Sequence, residues 1–371
     1  MRSPCETFDN GVVVYQATDE TVDKSNIYCE FPWCPPNAQC FVYMRQAPEA
    51  VNPVEYVACE FGSWETRVIG RGTGAFMSDG RFYFQRVNAH GHAEIVRVDL
   101  EREQSAVIPL PESLPAGAGV LISPNERYGV FSRTLSYAPQ CFGVGLVDLH
   151  TEHCEIIHTD PYICNQHLQF EPGAGKLLMV QHNRGCRYLP DGRREVLVGP
   201  EGCTLFLLEI PSGNVIRLQV GPPYTASVSG HETWRGTSKE ILLTLNLQDD
   251  YDLGKGPIVG VRPGEAARVY CAPLQLNHLG VEPSGRIFCG DAADPDAVVI
   301  GAVQTNRVTT VCPARASYRR AEERGAWQDS HPHAYISPDR HWVVFNSDRT
   351  GVQQIYCAEI PIEMIEALEA E

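Results

Sequence analysis

The hydrophobic pattern of the chain consists of short apolar or alternating runs separated by Gly, Pro, Asn and Asp, and helical periodicity is nearly absent. Runs of this kind, bounded by turn residues, predict β-strands. The exception is the tail, about residues 361–371 (PIEMIEALEAE), whose spacing predicts a short amphipathic helix.

One strand pattern recurs seven times, each time after a turn. The turns are marked by Pro36, Asp79, Pro124, Pro172, Thr237, Pro283 and Pro338, which lie 43, 45, 48, 65, 46 and 55 residues apart. The strands that follow them are FVYM (41–44), RFYFQR (81–86), YGVFSR (128–133), KLLMVQ (176–181), EILLTL (240–245), RIFCG (286–290) and WVVFNS (342–347). Further runs that end in an acidic residue (EIVRVDL, VGLVDL, LFLLEI, IYCAEI) are the third strands of such units. A period of about 40–50 residues with several strands per unit is typical of propeller blades.

We therefore predict an all-β fold, a seven-bladed β-propeller that forms a single domain over residues 1–371. The early strand VVVY (12–15) precedes the first full unit, so we expect it to complete the last blade, close the ring and cover its exposed edge. Two sandwich domains are the alternative, but no linker rich in Pro, Gly or Ser interrupts the repeat.

The charge balance excludes some partners. The chain has 30 Lys and Arg against 46 Asp and Glu, a net charge of −16, which argues against binding to nucleic acid or to an anionic membrane. Its 14 cysteines are scattered without a C-x-x-C pair, and most lie inside apolar runs, where a free cysteine behaves as a small hydrophobic residue. Neither a secretory signal nor a membrane-spanning run is visible. We expect a reduced, cytoplasmic protein and leave its oligomeric state open.

Histidines recur at one position of the repeat. His167, His278 and His333 each lie five residues before the turn marker of their unit, and His231 lies six before a turn that is one residue longer. In a propeller the first strand of each blade lines the central channel, so equivalent positions on adjacent blades converge. These imidazoles are therefore expected to share one pocket.

The last unit adds a metal-binding pattern, Gln328-Asp-Ser-His331-Pro-His333. Residues two apart on a strand point the same way, so His331 and His333 can bind one ion. Gln328 can reach this ion from the strand entry, and His278 of the neighbouring unit supplies a fourth ligand. Imidazoles with an amide oxygen and no thiolate suit Mn, Fe, Ni or Zn. The alternative is a set of hydrogen-bonded channel histidines without a metal.

The remaining histidines and nearby arginines are candidates for chemistry on a substrate. An imidazole with an ordinary pKa of about 6.5 is mostly neutral at pH 7, so His231 is a candidate general base, with a packing role as the alternative. His182 and Arg184, in QHNRG, can bind an anionic group. For Arg184 a solvated surface position is as good an interpretation, and for Arg187 it is the better one.

Several segments resemble the oligogalacturonate lyases, a polysaccharide-lyase family of seven-bladed, TolB-like propellers. HPHAYISPDRHWVVFNSDRTG (331–351) is similar to TolB-like repeats in general, and the overlapping Q-x-x-H-P-H is similar to the lyases in particular. GHETW (230–234) and QHLQF (166–170), the latter with His182 further along, resemble two other motifs of the family. The resemblance covers nearly the whole chain.

The resemblance implies a function as well as a fold. It implies that His278, Gln328, His331 and His333 bind a divalent ion, manganese in the first place, and that His231 is the Brønsted base. The chain departs from the family after His182, where it reads NRGCRYLPDGRRE, and in the strand GCTLFLLEI (202–210), which lacks the family's arginine. Arg184 or Arg187 could replace that arginine.

We therefore predict a metal-dependent lyase that cleaves oligogalacturonate-like acidic oligosaccharides by β-elimination, with a role in pectin degradation. His231 and Arg184 are the predicted catalytic residues, and His167, His182 and Arg187 are predicted to contact the substrate. The alternatives are a non-catalytic TolB-like propeller that binds a protein partner, and a lyase or hydrolase for a different acidic sugar.

Overall fold

The computed structural model describes residues 3–47, 51–78, 80–115, 117–246, 258–271 and 276–370, and the turn marker Asp79 lies outside this part. The chain divides into two compact units, one formed by residues 1–108 and 275–371 and the other by residues 109–274. The expected single domain stays a prediction.

The N-terminal part of the first unit contains two terminal strands and two four-stranded sheets. The terminal strands are β1 (Glu6–Thr7) and β2 (Val13–Gln16). The strands of the first sheet are β3 (Lys24–Asn26), β4 (Cys40–Gln46), β5 (Val54–Glu60) and β6 (Thr66–Gly72). The strands of the second sheet are β7 (Gly74–Ser78), β8 (Arg81–Val87), β9 (Ala93–Asp99) and β10 (Gln104–Pro109).

The second unit contains three four-stranded sheets and one small hairpin. The strands of the third sheet are β11 (Leu121–Ile122), β12 (Tyr128–Tyr137), β13 (Gln140–Asp148) and β14 (His153–Asp160). The fourth sheet has β15 (Gln169–Phe170), β16 (Leu177–Asn183), β19 (Cys203–Glu209) and β20 (Val215–Arg217), with the hairpin of β17 (Arg187–Tyr188) and β18 (Arg194–Val196) inserted. The fifth sheet has β21 (Val228–Trp234), β22 (Ile241–Leu245), β23 (Ile258–Val261) and β24 (Arg268–Cys271).

The C-terminal part of the chain returns to the first unit. The strands of the sixth sheet are β25 (His278–Val281), β26 (Ile287–Ala293), β27 (Asp296–Ala302) and β28 (Val308–Cys312). The short helix α1 (Ala321–Arg324) follows, and then come β29 (Tyr335–Ile336), β30 (Trp342–Ser347), β31 (Gln354–Glu359) and the helix α2 (Ile362–Glu369). The helix α2 was predicted from the tail, and its Ile365 and Leu368 are buried. The helix α1 was not predicted, because four residues are too few to show a helical period.

The predicted repeat matches these sheets. Each of the seven predicted strands after a turn is the second strand of a sheet, and the runs that end in an acidic residue are the third strands β9, β13, β19 and β31. The pairs of neighbouring strands within each sheet are antiparallel. The predicted fold class, a seven-bladed β-propeller, is confirmed.

The early strand joins the last sheet, as predicted. β2 pairs antiparallel with β31, with Val13 opposite Glu359 and Val14 opposite Ala358, so that the seventh sheet has the order β1-β2-β31-β30-β29. Val12 and Val14 are 0% and 1% exposed and pack in the apolar core of the first unit. The N-terminal strand thus covers the edge that β31 would otherwise expose.

Two further findings concern the whole chain. Thirteen cysteines of the described part are free thiols. No described helix has the length and apolar character needed to cross a bilayer. The expected cytoplasmic location stays a prediction.

Candidate metal centre and its surroundings

The first unit brings together three of the histidines that the sequence singled out. His278, His331 and His333 each offer a nitrogen atom, and these atoms all lie within 4.8 Å of one another. The ring centroids are 4.4 Å apart for His278 and His333, 5.3 Å for His278 and His331, and 5.8 Å for His331 and His333. We call this set the histidine triad. Three neutral imidazoles at this separation can bind one divalent ion.

A buried carboxylate orients His278. This residue begins β25 and lies directly opposite Asp291 of β26. Its Nδ1 is 3.0 Å from both carboxylate oxygens of Asp291, which is 0% exposed. The hydroxyl of Tyr318 donates to the same carboxylate at 3.3 Å. A carboxylate that accepts from one ring nitrogen places the proton there, so Nε2 of His278 is the nitrogen that can bind a metal.

The segment from His331 to His333 is not a strand, which corrects the prediction from the sequence. β29 begins only at Tyr335, and His333 has a left-handed backbone with a φ of 46°. Pro332 lacks the N–H that a strand ladder needs, which explains why the segment is irregular. The two histidines meet through this irregular backbone and not through strand alternation.

Two buried amides hold this irregular segment in place. Nδ2 of Asn346, on β30, donates to the carbonyl of His331 at 2.8 Å, and its backbone N–H donates to the carbonyl of Pro332, also at 2.8 Å. Nδ2 of Asn26, on β3, donates to the carbonyl of His333 at 3.2 Å. Both asparagines are fully buried, so their amides have little access to competing water.

The environment of His333 favours its neutral form. Burial, and then the neighbouring imidazoles of His278 and His331, lower its pKa well below the ordinary value. Its Nδ1 is buried and has no hydrogen-bond partner among the described residues. The ring of Tyr28 lies 4.9 Å from the His333 ring and 6.1 Å from the His278 ring. A neutral imidazole with an unsatisfied buried nitrogen suits a metal ligand.

Gln328, the fourth predicted ligand, lies in the segment after α1. It is partly buried, and its backbone carbonyl accepts a hydrogen bond of 3.0 Å from Nη1 of Arg324. Among the described residues, the group whose ligand atoms lie together contains His278, His331 and His333 but not Gln328, so its role as a ligand stays a prediction.

The predicted base His231 belongs to the second unit, where it lies on β21 beside a second histidine–carboxylate pair. The next residue, Glu232, is 0% exposed, and its Oε1 lies 3.4 Å from Nδ1 of His167. Nε2 of His167 is 3.1 Å from Nδ2 of Asn165. His167 resembles His333 in its backbone, with a φ of 43°. The catalytic role of His231 and the substrate contact of His167 stay predictions.

Three further candidates of the second unit lie in two places: His182, predicted to contact the substrate, and Arg184, predicted to be catalytic, line one cavity, and Arg187 lies on β17. His182 lies within β16 rather than after it, and its Nε2 is 3.1 Å from Oδ1 of Asp160. Although burial opposes the shift, hydrogen bonds from His182 and from the backbone of Tyr162 lower the pKa of Asp160 below its ordinary value. Arg184 lines the same cavity as His182. Arg187, on β17, is exposed and lies 3.8 Å from the carboxylate of Glu195, which is typical of a solvated surface pair.

Sequence reasoning missed the residues that support the histidines. Asp291, Tyr318, Asn26, Asn346 and Glu232 were not among the candidates. Asp291 had a usable signal, because it is an acidic residue inside the apolar run IFCGDAA and the turn before that run places it opposite His278. The two asparagines had none, because their partners are distant backbone carbonyls.

Comparison with known proteins finds matches among solved structures. Neither the known family models nor the curated proteins contain a match. Among solved structures, an oligogalacturonate lyase from Vibrio parahaemolyticus has 18% sequence identity and a TM-score of 0.70, over 96% of this chain and 97% of that chain. A structure of oligogalacturonate lyase in complex with manganese has 17% identity and the same TM-score, over 98% and 97%. A hydrazine synthase from Kuenenia stuttgartiensis is more distant, with 12% identity and a TM-score of 0.51 over 92% and 98%. At these identities the likeness shows that the chain shares its propeller fold with these proteins.

Proposed function

We propose that this protein is a metal-dependent lyase that cleaves oligogalacturonate-like oligosaccharides by β-elimination. The observation that carries the proposal is the histidine triad, whose nitrogens lie within 4.8 Å of one another. Two oligogalacturonate lyase structures that match nearly the whole chain support it, and one of them is a manganese complex.

The residues present fit a divalent ion. His278, His331 and His333 would bind it, with Gln328 as the proposed fourth ligand. The orphaned buried Nδ1 of His333 and the Asp291 carboxylate behind His278 are features of a built ligand set. Manganese is the first candidate because of the matching manganese complex, and zinc, iron and nickel are alternatives. When bound, such an ion neutralises the charge of a substrate carboxylate as a Lewis acid.

The reaction needs a base beside the acidic sugar. The C5 proton of a uronate is adjacent to its carboxylate, and His231 is proposed to take this proton. The electron pair of the C5–H bond then forms the C4–C5 double bond, the bond from C4 to the glycosidic oxygen breaks, and solvent protonates that oxygen. Arg184 is proposed to bind a carboxylate of the substrate, which lets an acidic protein hold an acidic sugar.

The direct test follows the unsaturated product. Purified protein with added manganese is incubated with a panel of uronate oligosaccharides, and the ultraviolet absorbance of the new double bond is recorded. We expect turnover that a chelator abolishes and manganese restores. If every uronate is left intact, or if turnover survives complete removal of metal, the proposal is wrong.

A variant of His231 tests the base. Because a positioned general base typically contributes about 10²- to 10⁴-fold, His231→Asn should lower kcat by this factor while the bound metal content stays unchanged. The matched control is His150→Asn, which changes an exposed histidine of the same unit and should leave kcat as it is. Near-normal kcat in His231→Asn would remove His231 as the base.

A further inference from the structure

The second unit has a small cavity beside the sheet formed by β15, β16, β19 and β20. The cavity has a volume of about 220 Å³, and its polar lining comes from His182, Arg184, Thr204, Arg217 and Tyr224. Tyr224 is 62% exposed, and Arg217 is also exposed, so the cavity can be reached from solvent. The remaining lining is apolar and comes from β19 and from the segment after β20.

The permanently charged groups of this lining, Arg184 and Arg217, are both positive. Two guanidinium groups and one imidazole line the cavity, and none of the described residues of the lining carries a carboxylate. Within the part of the chain that the structure describes, neither Arg184 nor Arg217 has a carboxylate oxygen within 4.0 Å, although many other arginines of the protein do, for example Arg45 and Arg235. A chain with a net charge of −16 has many carboxylates available. Because the two arginines that line this cavity pair with none of those described, the cavity is suited to bind an external anion.

The guanidinium of Arg184, which lines this cavity, has an unsatisfied hydrogen-bond donor. Its Nε donates to the carbonyl of Gly202 at 2.9 Å, which fixes the plane of the guanidinium. Its Nη2 is buried and has no hydrogen-bond partner among the described residues. A buried N–H without an acceptor is unfavourable, and a small shift of the side chain toward the cavity would let an oxygen atom of a ligand satisfy it.

Two other polar groups of the lining, on His182 and Thr204, have partners within the protein. His182 contacts Asp160 at 3.1 Å, and the hydroxyl of Thr204 donates to the carbonyl of Val220. The guanidinium groups of Arg184 and Arg217 are the charged groups that remain for a ligand, and the ring of Tyr224 lies beside them in the lining. A guanidinium binds a planar carboxylate through two parallel hydrogen bonds.

The size of the cavity limits what can enter it. Pockets that enclose a whole drug-sized ligand have volumes of roughly 300–1,000 Å³, so about 220 Å³ suits one sugar residue. Tyr224 adds an aromatic ring at the edge, which can pack against the apolar face of a sugar. We propose that this cavity is a binding subsite for one uronate unit, whose carboxylate is bound by Arg184 and Arg217. The choice of a uronate as the ligand rests on the proposed function.

The experiment measures binding without turnover. Full-length protein is stripped of metal with a chelator and titrated with galacturonate and, separately, with the neutral sugar galactose, and binding is followed by ligand-observed NMR. We expect galacturonate to bind and galactose to bind at least about tenfold more weakly, because galactose lacks the carboxylate.

Variants locate the binding site. Arg217→Gln and Arg184→Gln should each weaken galacturonate binding by about tenfold or more, and Tyr224→Ala should weaken it by less. Arg217 is exposed on the short edge strand β20, so its variant should fold normally, which a thermal unfolding curve checks. The matched control is Arg133→Gln, an exposed arginine on β12 of the same unit, which should bind as the wild type does.

The outcomes separate this inference from the lyase proposal. Galacturonate binding that both arginine variants lose and the control keeps supports the subsite, even if no oligosaccharide is ever cleaved. Binding that is equal for the two sugars, binding that survives both arginine variants, or the absence of any binding overturns the subsite, even if the lyase activity is found.

Discussion

At the scale of single residues, one buried carboxylate determines which nitrogen of His278 faces the triad. Asp291 is 3.0 Å from Nδ1 of His278 through both of its oxygens and also accepts from Tyr318. An asparagine at this position keeps the shape but loses the charge that fixes the tautomer. Because partners of this kind typically contribute 10- to 100-fold to metal affinity, Asp291→Asn should weaken manganese binding by about this factor.

The measurement for Asp291→Asn is a manganese titration followed by electron paramagnetic resonance of the free ion. The control Asp99→Asn changes a partly exposed acidic residue at the end of β9 in the same unit and should bind manganese normally. An unchanged affinity in Asp291→Asn would mean that His278 is not oriented through this contact.

The same scale shows why only part of the site could be predicted. His278 and His333 were found because the repeat places them at equivalent positions, which a sequence displays directly. Their supports depend on cross-strand register and on irregular backbone. Asn26 donates to the carbonyl of His333, which lies 307 positions away in the chain. No local sequence pattern around either residue predicts this contact.

At the scale of elements, β25 lies very close to the segment after β3. At position 280 of this strand there is room only for glycine. A Cβ atom on Gly280 would lie 2.1 Å from the backbone carbonyl oxygen of Cys29, the residue that follows Tyr28. Because a backbone atom cannot rotate away, Gly280→Ala should push β25, and His278 at its start, away from this segment. We expect a loss of about 1–3 kcal/mol in the free energy of unfolding and a weaker affinity for manganese.

Urea unfolding and a manganese titration check this prediction together. Gly74→Ala is the matched control, since it lies on β7 of the same unit and an added Cβ atom would meet no atom within 4 Å. If Gly280→Ala unfolds and binds manganese as the control does, the close approach does not position the triad.

At the scale of the whole molecule, the seven sheets were predictable because each turn is followed by the same kind of strand. Hydrophobic spacing and turn residues act locally, so they survive in the sequence even where the period varies between 43 and 65 residues. The hairpin of β17 and β18 and the helix α1 were not predicted. They interrupt the repeat with short elements whose positions depend on tertiary contacts, such as the ion pair of 3.2 Å between Arg324 and Asp23.

The last prediction concerns the strand that joins the beginning of the chain to its end. β2 covers β31, and Val14 of this strand and the preceding Val12 are buried in the apolar core of the first unit. Full burial of each valine contributes about 1.5–3 kcal/mol, so deletion of residues 1–16 should remove a large part of a total stability of about 5–15 kcal/mol. The exposed edge of β31 should also promote association between copies. Thermal unfolding and light scattering measure the two effects, and deletion of residues 1–4, before β1, is the control. A deletion protein that stays monomeric and unfolds at the temperature of the full chain would show that the N-terminal strand is not needed to complete the last sheet.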